Sequence, residues 1–393
     1  MKKLLLAAII SLSTVSTATL AEIKVGIILG FTGPIESLTP AMRDGAKLAF
    51  LEASNSGNLL DGETFTIMEG DSTCVDSAAA TAVAEQMVAD GVAAIMGADC
   101  SGVTGAINAN VAVPNGVLMV SPSATSPGLS KIADAGTFWR TAPSDAMGGK
   151  VLANLALKRG VNSIAITYTN NDYGKGLSDV FEAAFKAGGG EVTAVASHED
   201  GKADYSSEVG VLGSAGGDAL MVIGYLDQGG KGMIEASLDS GAFDLFVLSD
   251  GMIGQSLVDA IGSDLDGSFG SMPGAISKGS AKFGDLAAAN GMDGSGPYVG
   301  ESYDAAALIA LAIQSGGSAD RKSILTNILK VANAPGIKIQ PGQLSYGLQM
   351  LAEGNEINYE GATDIEFNVF GDAAGAFKEL EVGDGAFNTV GAL

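Results

Sequence analysis

Residues 92–107 read VAAIMGADCSGVTGAI. Val92–Met96 is a short, wholly apolar run with the length of a buried strand, and small polar residues follow it directly. The pattern predicts a strand that turns into a helix, and the turn between them carries Cys100 and Ser101. Cys100 is one of only two cysteines in 393 residues, which makes this turn the first place to look for a function.

The same unit of strand and helix repeats through the first part of the chain. Met42, Ala46 and Ala49 recur at helical spacing after the first predicted strand, and Asp76 or Ser77 can cap the next helix. The β-α-β-α order predicts a parallel sheet with helices on both faces. The predicted strands are Ile23–Leu29, Thr64–Met68, Val92–Met96 and Val117–Val120.

The rhythm starts again after a break near Thr141-Ala142-Pro143. The chain is longer than one hydrophobic core usually supports, so two α/β lobes with parallel sheets are expected. The predicted strands of the second lobe are Ser163–Tyr168, Glu191–Ala196, Ala219–Ile223 and Leu245–Leu248.

The first residues resemble a cleaved secretory signal peptide. Lys2 and Lys3 precede an apolar core, Leu4–Ile10, and Thr19 and Ala21 are small residues before a predicted cut after Ala21. The alternative is a buried N-terminal strand or helix. Removal of residues 1–21 takes away two lysines and changes the formal charge from −24 to −26. So negative a chain is not expected to bind nucleic acid or anionic lipid. Since no later stretch is apolar over the length of a membrane span, we expect a soluble mature protein.

Polar residues follow five predicted strands at their carboxyl ends, where α/β sheets bind ligands. Each residue alone could be a helix cap, but five such loops in succession favour a cleft. The loops contain Asp99-Cys100-Ser101, Ser121–Gly128, Thr169–Gly176, Gly224-Tyr225 and Ser249-Asp250.

Cys74 and Cys100 follow neighbouring strands at the same edge of the first sheet. An exported protein meets oxidising conditions, so we expect a disulfide, with two free buried thiols as the alternative. A metal site is not expected, because two cysteines and a single histidine offer too few ligands. That histidine, His198, lies in a polar stretch and is predicted to be a solvated turn residue.

The candidate ligand groups have complementary chemistry. Ser101 stands at a predicted helix N-terminus and suits a carboxylate, and Ser123 and Thr125 add hydroxyl and backbone groups. Asp250, from the other lobe, could meet a cation, so the predicted cleft suits a zwitterion. No His lies near a candidate nucleophile and HExxH, GxSxG, GxGxxG and P-loop motifs are absent, so we do not expect an enzyme.

The chain resembles the periplasmic substrate-binding proteins of branched-chain amino-acid ABC transporters across nearly the whole mature length. The resemblance rests on the order and spacing of several motifs. They are IKVGIILGFTGP (23–34), DSTC (71–74), GADCS (97–101), VSPSATSPGL (120–129), WRTAPSD (139–145), NNDYGKG (170–176) and SGPYVGESYDA (295–305).

The resemblance implies a type I, Venus-flytrap fold, with two Rossmann-like lobes joined by three crossings near Thr141, Met272-Pro273 and Gly375. Lobe 1 would contain residues 22–141 and 273–375, and lobe 2 residues 142–272 and 376–393. The resemblance also implies the Cys74–Cys100 disulfide. The implied ligand groups are the Ser101 hydroxyl for a carboxylate, the Ser123 carbonyl, the Thr125 hydroxyl, Tyr173, Tyr225, and Asp250 for an ammonium.

Two positions depart from the family pattern. Asp250 is one methylene shorter than the glutamate usual there, and Leu38 stands where an aromatic residue is common. Tyr298 is a candidate for the missing aromatic wall. With these departures an α-amino acid is still the expected ligand, but the side chain that the site prefers stays open.

The implied function is capture of a small zwitterion, a neutral or branched-chain amino acid, in the periplasm and its delivery to ABC permease subunits. A monomer fits such delivery best, and no cofactor is expected. The alternatives are a ligand-sensing receptor module of the same fold, or a transport protein for another small carboxylate or amide.

Overall fold

A computed structural model describes residues 22–393. The predicted signal peptide, residues 1–21, lies outside these residues. Within them the strands form two large sheets and one small pair. The strands are β1 Glu22–Leu29, β2 Thr64–Asp71, β3 Ala94–Gly97, β4 Leu118–Ser121, β5 Phe138–Arg140, β6 Ser163–Thr169, β7 Glu191–His198, β8 Ala219–Ile223, β9 Phe246–Leu248, β10 Phe269–Pro273, β11 Ile337–Ile339, β12 Ile357–Tyr359, β13 Phe377–Gly383 and β14 Ala386–Ala392.

Helices alternate with these strands, as the apolar spacing predicts. Asp76 caps α2 by accepting hydrogen bonds from two backbone N–H groups, which confirms one of the two predicted caps. The helices are α1 Thr39–Asn55, α2 Ser77–Ala89, α3 Ser101–Ile107, α4 Val113–Asn115, α5 Asp145–Lys158, α6 Asp172–Ala187, α7 Ser206–Ala215, α8 Gly229–Ser240, α9 Gln255–Ile261, α10 Lys278–Ala289, α11 Val299–Gly316, α12 Arg321–Ala332 and α13 Leu344–Ala352. Within residues 22–393, no helix is both long and apolar enough to cross a membrane.

The first sheet is wholly parallel and has the order β2-β1-β3-β4-β5. The second has the order β14-β13-β10-β9-β8-β6-β7, and its strands from β10 to β7 are parallel. The predicted fold class, two α/β lobes with mainly parallel sheets, is confirmed. All eight predicted strands occur, and no end shifts by more than three residues.

The antiparallel hairpin of β13 and β14 departs from the prediction of parallel sheets. Asp384 and Gly385 connect the two strands, and both have positive φ, as a tight hairpin turn requires. An Asp-Gly pair between strand-forming residues is the sequence signal that could have located this hairpin.

The chain passes between the two large sheets three times. It leaves the first sheet after Arg140, leaves the second after Pro273, and returns to the second at Phe377. Gly274 donates its N–H to the carbonyl of Ala376, at 3.0 Å, so the second and third crossings run side by side. We propose the lobe boundaries at residues 141/142, 272/273 and 375/376 on this basis.

Helix α11 is buried over nearly its whole length and packs against α1, α12 and α13 beside the first sheet. Its interior is rich in alanine, such as Ala305–Ala307, and small side chains allow neighbouring helices to approach closely. Because this helix is fixed on all sides, the residues at its N-terminal end, Tyr298–Glu301, have a well-defined position between the two sheets.

Candidate functional site

A cavity lies between the carboxyl-terminal edges of the two large sheets. Six of the seven residues predicted to bind a ligand line it: Ser101, Ser123, Tyr173, Tyr225, Asp250 and Tyr298. The seventh, Thr125, is buried in the same loop as Ser123 but is not part of the lining. The structure therefore brings these residues together, while their role in binding stays a prediction.

The predicted disulfide between Cys74 and Cys100 is present, with Cα atoms 5.1 Å apart. It joins the loops after β2 and β3, and Cys100 also lines the cavity. The bend before it requires glycine at position 97. Gly97 has φ +127°, and a Cβ there would lie 2.1 Å from the carbonyl oxygen of Ile28.

Asp99 fixes the loops that carry the disulfide, and the sequence analysis did not single it out as a site residue. One carboxylate oxygen accepts the N–H of Gly30 at 2.6 Å, and the other accepts Ser72 Oγ at 3.0 Å and the N–H of Cys100 at 2.9 Å. Burial raises the pKa of Asp99, and these donors counteract part of the rise. The sequence signal that could have identified Asp99 is its position between Gly97 and Cys100, at the carboxyl end of a strand.

Hydroxyl and carbonyl groups form one pole of the cavity. Ser101 Oγ accepts the N–H of Ser126 at 3.1 Å, and no described residue accepts its proton. Ser123 Oγ donates to the carbonyl of Asp99 at 3.1 Å, and among residues 22–393 nothing donates to the Ser123 carbonyl. A donor at Ser101 and an acceptor at Ser123 suit the carboxylate and the ammonium of one small molecule.

Asp250 forms the acidic pole of the cavity, on the side of the second sheet. It lies in a short 3-10 turn, Asp250–Met252, directly after β9, and is buried. Its carboxylate accepts a hydrogen bond from the hydroxyl of Tyr173 at 2.7 Å and another from the hydroxyl of Tyr298. Burial raises the pKa of Asp250, and the two tyrosine donors lower it again in part.

A second carboxylate, that of Asp145, lies close to Asp250 and was missed by the sequence analysis. Burial raises the pKa of Asp145 well above its usual value, and the negative charge of Asp250 raises it further. Thr125 is near enough to lower this pKa, yet Thr125 Oγ1 and Asp145 Oδ2 are both buried without a well-formed hydrogen bond to any described residue. A cation near these two acids would relieve their repulsion.

Aromatic and aliphatic side chains complete the cavity. The rings of Tyr173 and Tyr225 stack with centroids 5.3 Å apart. Ile35, Leu38 and Met42, from the loop after β1 and from α1, form an aliphatic wall.

Direct contacts close the cleft. The N–H of Ser37 donates to Asp227 at 2.9 Å, and Ser37 Oγ lies 3.0 Å from Ser256 Oγ. The hydrogen bond from Tyr298 to Asp250 also joins residues associated with different sheets. The described conformation is therefore one in which the two sheets' loops are in contact around the cavity.

His198 corrects one sequence prediction. It is the last residue of β7 and is buried, with ring Nδ1 2.8 Å from Thr167 Oγ1, so the prediction of a solvated turn residue is wrong. The strand continues two residues beyond its predicted end, which places the ring inside. Burial lowers the pKa of His198 to about 4, so the ring is neutral at pH 7. Residues 22–393 contain no group of three or more His, Cys, Asp or Glu side chains arranged to hold a metal ion.

Comparison with known proteins places this chain in a family. The sequence profile of the family described as "Periplasmic binding protein" matches residues 22–342. "Leu/Ile/Val-binding protein homolog 3" of Brucella melitensis is 32% identical over 216 residues, which are 55% of this chain and 58% of that protein. The chain thus spans less than two thirds of the length of that relative. The "Leucine-specific-binding protein" of Salmonella typhimurium is 28% identical over 80% of this chain and 85% of its own.

Solved structures share the fold. A leucine binding protein from Thermotoga maritima superimposes with a TM-score of 0.79 at 23% identity, over 94% of this chain and 98% of its own. A solute binding protein from R. palustris in complex with 4-hydroxybenzoate gives a TM-score of 0.74 at 19% identity, over 95% and 97%. At these identities the likeness shows the fold alone.

Proposed function

This chain belongs to the periplasmic binding protein family, and we propose that it binds a neutral or branched-chain amino acid in the cleft and delivers it to an ABC permease. One observation carries the proposal. One cavity is lined by the Ser101 hydroxyl and by the buried carboxylate of Asp250, and the buried carboxylate of Asp145 lies close to Asp250. An α-amino acid carries the complementary groups, a carboxylate and an ammonium.

The acidic pole favours a ligand with an ammonium group. Burial raises the pKa of both carboxylates, and the charge of Asp250 raises that of Asp145 further, so the two acids are an unfavourable arrangement by themselves. An ammonium group between them would supply charge-assisted hydrogen bonds, each worth about 1.5–3 kcal/mol. We assign this role mainly to Asp250, because it lines the cavity. The Ser123 carbonyl and the Thr125 hydroxyl are the proposed additional partners of the ammonium.

The aliphatic wall favours a branched apolar side chain. Ile35, Leu38 and Met42 offer no hydrogen-bond donors, so a charged or strongly polar side chain there would lose its hydration without compensation. Leu38 leaves more room than the aromatic residue common in related proteins. Leucine, isoleucine and valine fit this environment, and they are the ligands in the names of several relatives.

Binding and closure are linked in the proposed mechanism. Ligand groups contact residues of both lobes, so the ligand binds the closed form better than the open form and shifts the population toward it. The contacts of Ser37 with Asp227 and Ser256 contribute to the closed form. The closed form is then the one presented to the permease.

The proposed location and partners follow from the family. We infer that residues 1–21 are a signal peptide, that the mature protein is periplasmic, and that it acts as a monomer with permease subunits. It is not proposed to catalyse a reaction. The alternative is a protein for a small carboxylate without an ammonium, a class that includes the 4-hydroxybenzoate in one structural neighbour. The two buried acids disfavour that alternative.

Titration calorimetry on the mature protein tests the proposal, after bound solute has been removed by unfolding and refolding. The matched probes are L-leucine, 4-methylpentanoate, which lacks the ammonium, and 3-methylbutylamine, which lacks the carboxylate. We expect tight binding of leucine, isoleucine or valine and weak binding of both analogues. Binding of 4-methylpentanoate as tight as that of leucine would contradict the assignment of the acidic pole. A panel without any amino-acid ligand would refute the function.

A further inference from the structure

A second pocket of about 400 Å³ lies beside the second crossing, away from the cleft. Its walls come from the second crossing, from the beginnings of α10 and α11, and from strands β13 and β14. We call it the hinge pocket and define it by Ile276, Phe283, Glu301, Thr363 and Lys378. Its volume falls within the usual range of small-molecule sites, roughly 300–1,000 Å³.

Glu301 is the unexpected residue in this pocket. It is only 5% exposed, yet no other described residue donates a hydrogen bond to its carboxylate. Buried carboxylates normally have such partners, because burial without them is costly. Burial raises the pKa of Glu301 to about 7, and the nearby Asp304 adds to the rise. No other residue among 22–393 therefore supplies a hydrogen-bond partner for this carboxylate, which lines the pocket.

Lys378 lines the same pocket with the opposite charge. It is half-buried and forms no ion pair with any carboxylate among residues 22–393, including that of Glu301. It lowers the pKa of Glu301 only as the last of four causes, as expected for charges separated by a gap. An acid and a base thus face one pocket without contact, and the remaining walls are largely apolar, with Ile276 and Phe283 among them.

We propose that the hinge pocket is a second binding site for a small amino acid with an apolar side chain. The ammonium pairs with Glu301, the carboxylate pairs with Lys378, and the side chain lies against Ile276 and Phe283. The ligand class rests on the proposed function of the cleft, whereas the site itself rests on the unpaired charges of the pocket.

The position of the pocket connects it to cleft closure. The Thr141 hydroxyl, in the first crossing, donates to the backbone carbonyl of Glu301 at 2.9 Å. Residues of the second crossing line the pocket, and Lys378 lies just after the third. A rotation about the crossings therefore changes the distance between Glu301 and Lys378. By linkage, a ligand that bridges them alters the affinity of the cleft, and the cleft ligand alters the affinity of the pocket by the same factor.

Methyl NMR can observe both sites in the same mature protein, because Ile276 lies in the hinge pocket and Ile35 in the cleft. The probe is L-leucine at about pH 8, where Glu301 is ionised. We expect two saturation curves, with the Ile276 signal responding at higher leucine concentration than the Ile35 signal. Glu301→Gln and Lys378→Met should each raise the Kd at Ile276 about tenfold or more and leave the Ile35 curve within about twofold. The analogues that lack either charge should not shift Ile276.

The outcomes separate this site from the cleft. An Ile276 signal that does not move at millimolar leucine, in a protein whose melting is unchanged, would overturn the proposal. An Ile276 shift that follows the Ile35 curve and persists in Glu301→Gln would show that Ile276 responds to cleft closure and not to a ligand in the hinge pocket, and the site would be rejected. A response at Ile276 without one at Ile35 would refute the cleft function and leave the hinge site standing.

Discussion

The substitution Asp250→Asn tests the central residue of the cleft. Asparagine has nearly the same volume as aspartate and can still accept a hydrogen bond from the hydroxyl of Tyr173 or Tyr298, so the loop after β9 should keep its position. The change removes one negative charge from the pole at which we place the ammonium. It therefore separates the charge of Asp250 from its role in packing.

The expected loss follows from the contacts. One charge-assisted hydrogen bond is worth about 1.5–3 kcal/mol, which is roughly a 10- to 150-fold change in Kd. Asp145 remains nearby and keeps part of the attraction, so we expect a loss of about 2 kcal/mol, or about thirtyfold. The matched variant Asp145→Asn should lose less, because Asp145 does not line the cavity.

The free protein should respond in the opposite direction. Burial raises the pKa of Asp250, and the charge of Asp250 raises the pKa of Asp145, so the charged form of each acid destabilises the folded state. Removing either charge should leave the melting temperature without ligand unchanged or higher. Weaker ligand binding together with unimpaired stability is the expected combination.

Titration calorimetry with the preferred amino acid and thermal melts of the free protein measure both effects. A change in Kd of less than about twofold for Asp250→Asn, with normal melting, would falsify the assignment of Asp250 to the ammonium. A larger loss of affinity for Asp145→Asn than for Asp250→Asn would reverse the two roles and assign the ammonium to Asp145.

Three further predictions concern stability and folding. Glu301→Gln should stabilise the protein by up to about 3 kcal/mol above pH 7 and not at all below about pH 4.5. The reason is that folding raises the pKa of Glu301 to about 7, so the wild-type protein loses stability as the pH rises from about 4.5 to 7 and Glu301 ionises. Equal melting curves for both proteins at about pH 8 would contradict this. Reduction of the Cys74–Cys100 bond, which closes a loop with a separation of 26, should cost about 3.5 kcal/mol, measured by urea unfolding with and without reductant. Gly97→Ala should abolish folding or sharply lower the melting temperature, because its Cβ would meet the Ile28 carbonyl, whereas Gly102→Ala, with open space around its Cβ, serves as the control.

The strands and the loops at their carboxyl ends could be predicted because the signals are local. Short apolar runs such as Ala219–Ile223 define strands by themselves, and parallel strands place their carboxyl ends at one edge. The sequence resemblance added which residue of each loop faces inward. Tyr298 illustrates its value, since nothing in the local pattern marks a residue before α11 as part of a cleft.

The misses have non-local causes. Asp145 follows Ser144 at the beginning of α5, where an acidic residue is normally favourable for the helix alone. Only the packing of that helix end against the loop after β9 brings it to Asp250, more than a hundred positions later. The prediction that His198 is solvated is wrong for a related reason. Its polar neighbours in the sequence, Glu199 and Asp200, suggest solvent, yet the last position of β7 points inward.

The start of α11 lies next to both the cleft and the proposed hinge site. Tyr298 precedes the helix with a left-handed backbone, φ 60°, and contributes its hydroxyl to Asp250 in the cleft. Glu301, three residues later, lines the hinge pocket opposite Lys378. Asp250 and Lys378 both belong to the part of the chain built around the second sheet, while α11 is fixed beside the first. In the proposed mechanism, a rotation of one sheet against the other changes both the Tyr298–Asp250 and the Glu301–Lys378 separations. A rigid helix end shared by two sites is the physical link that would let a ligand at either one influence the other.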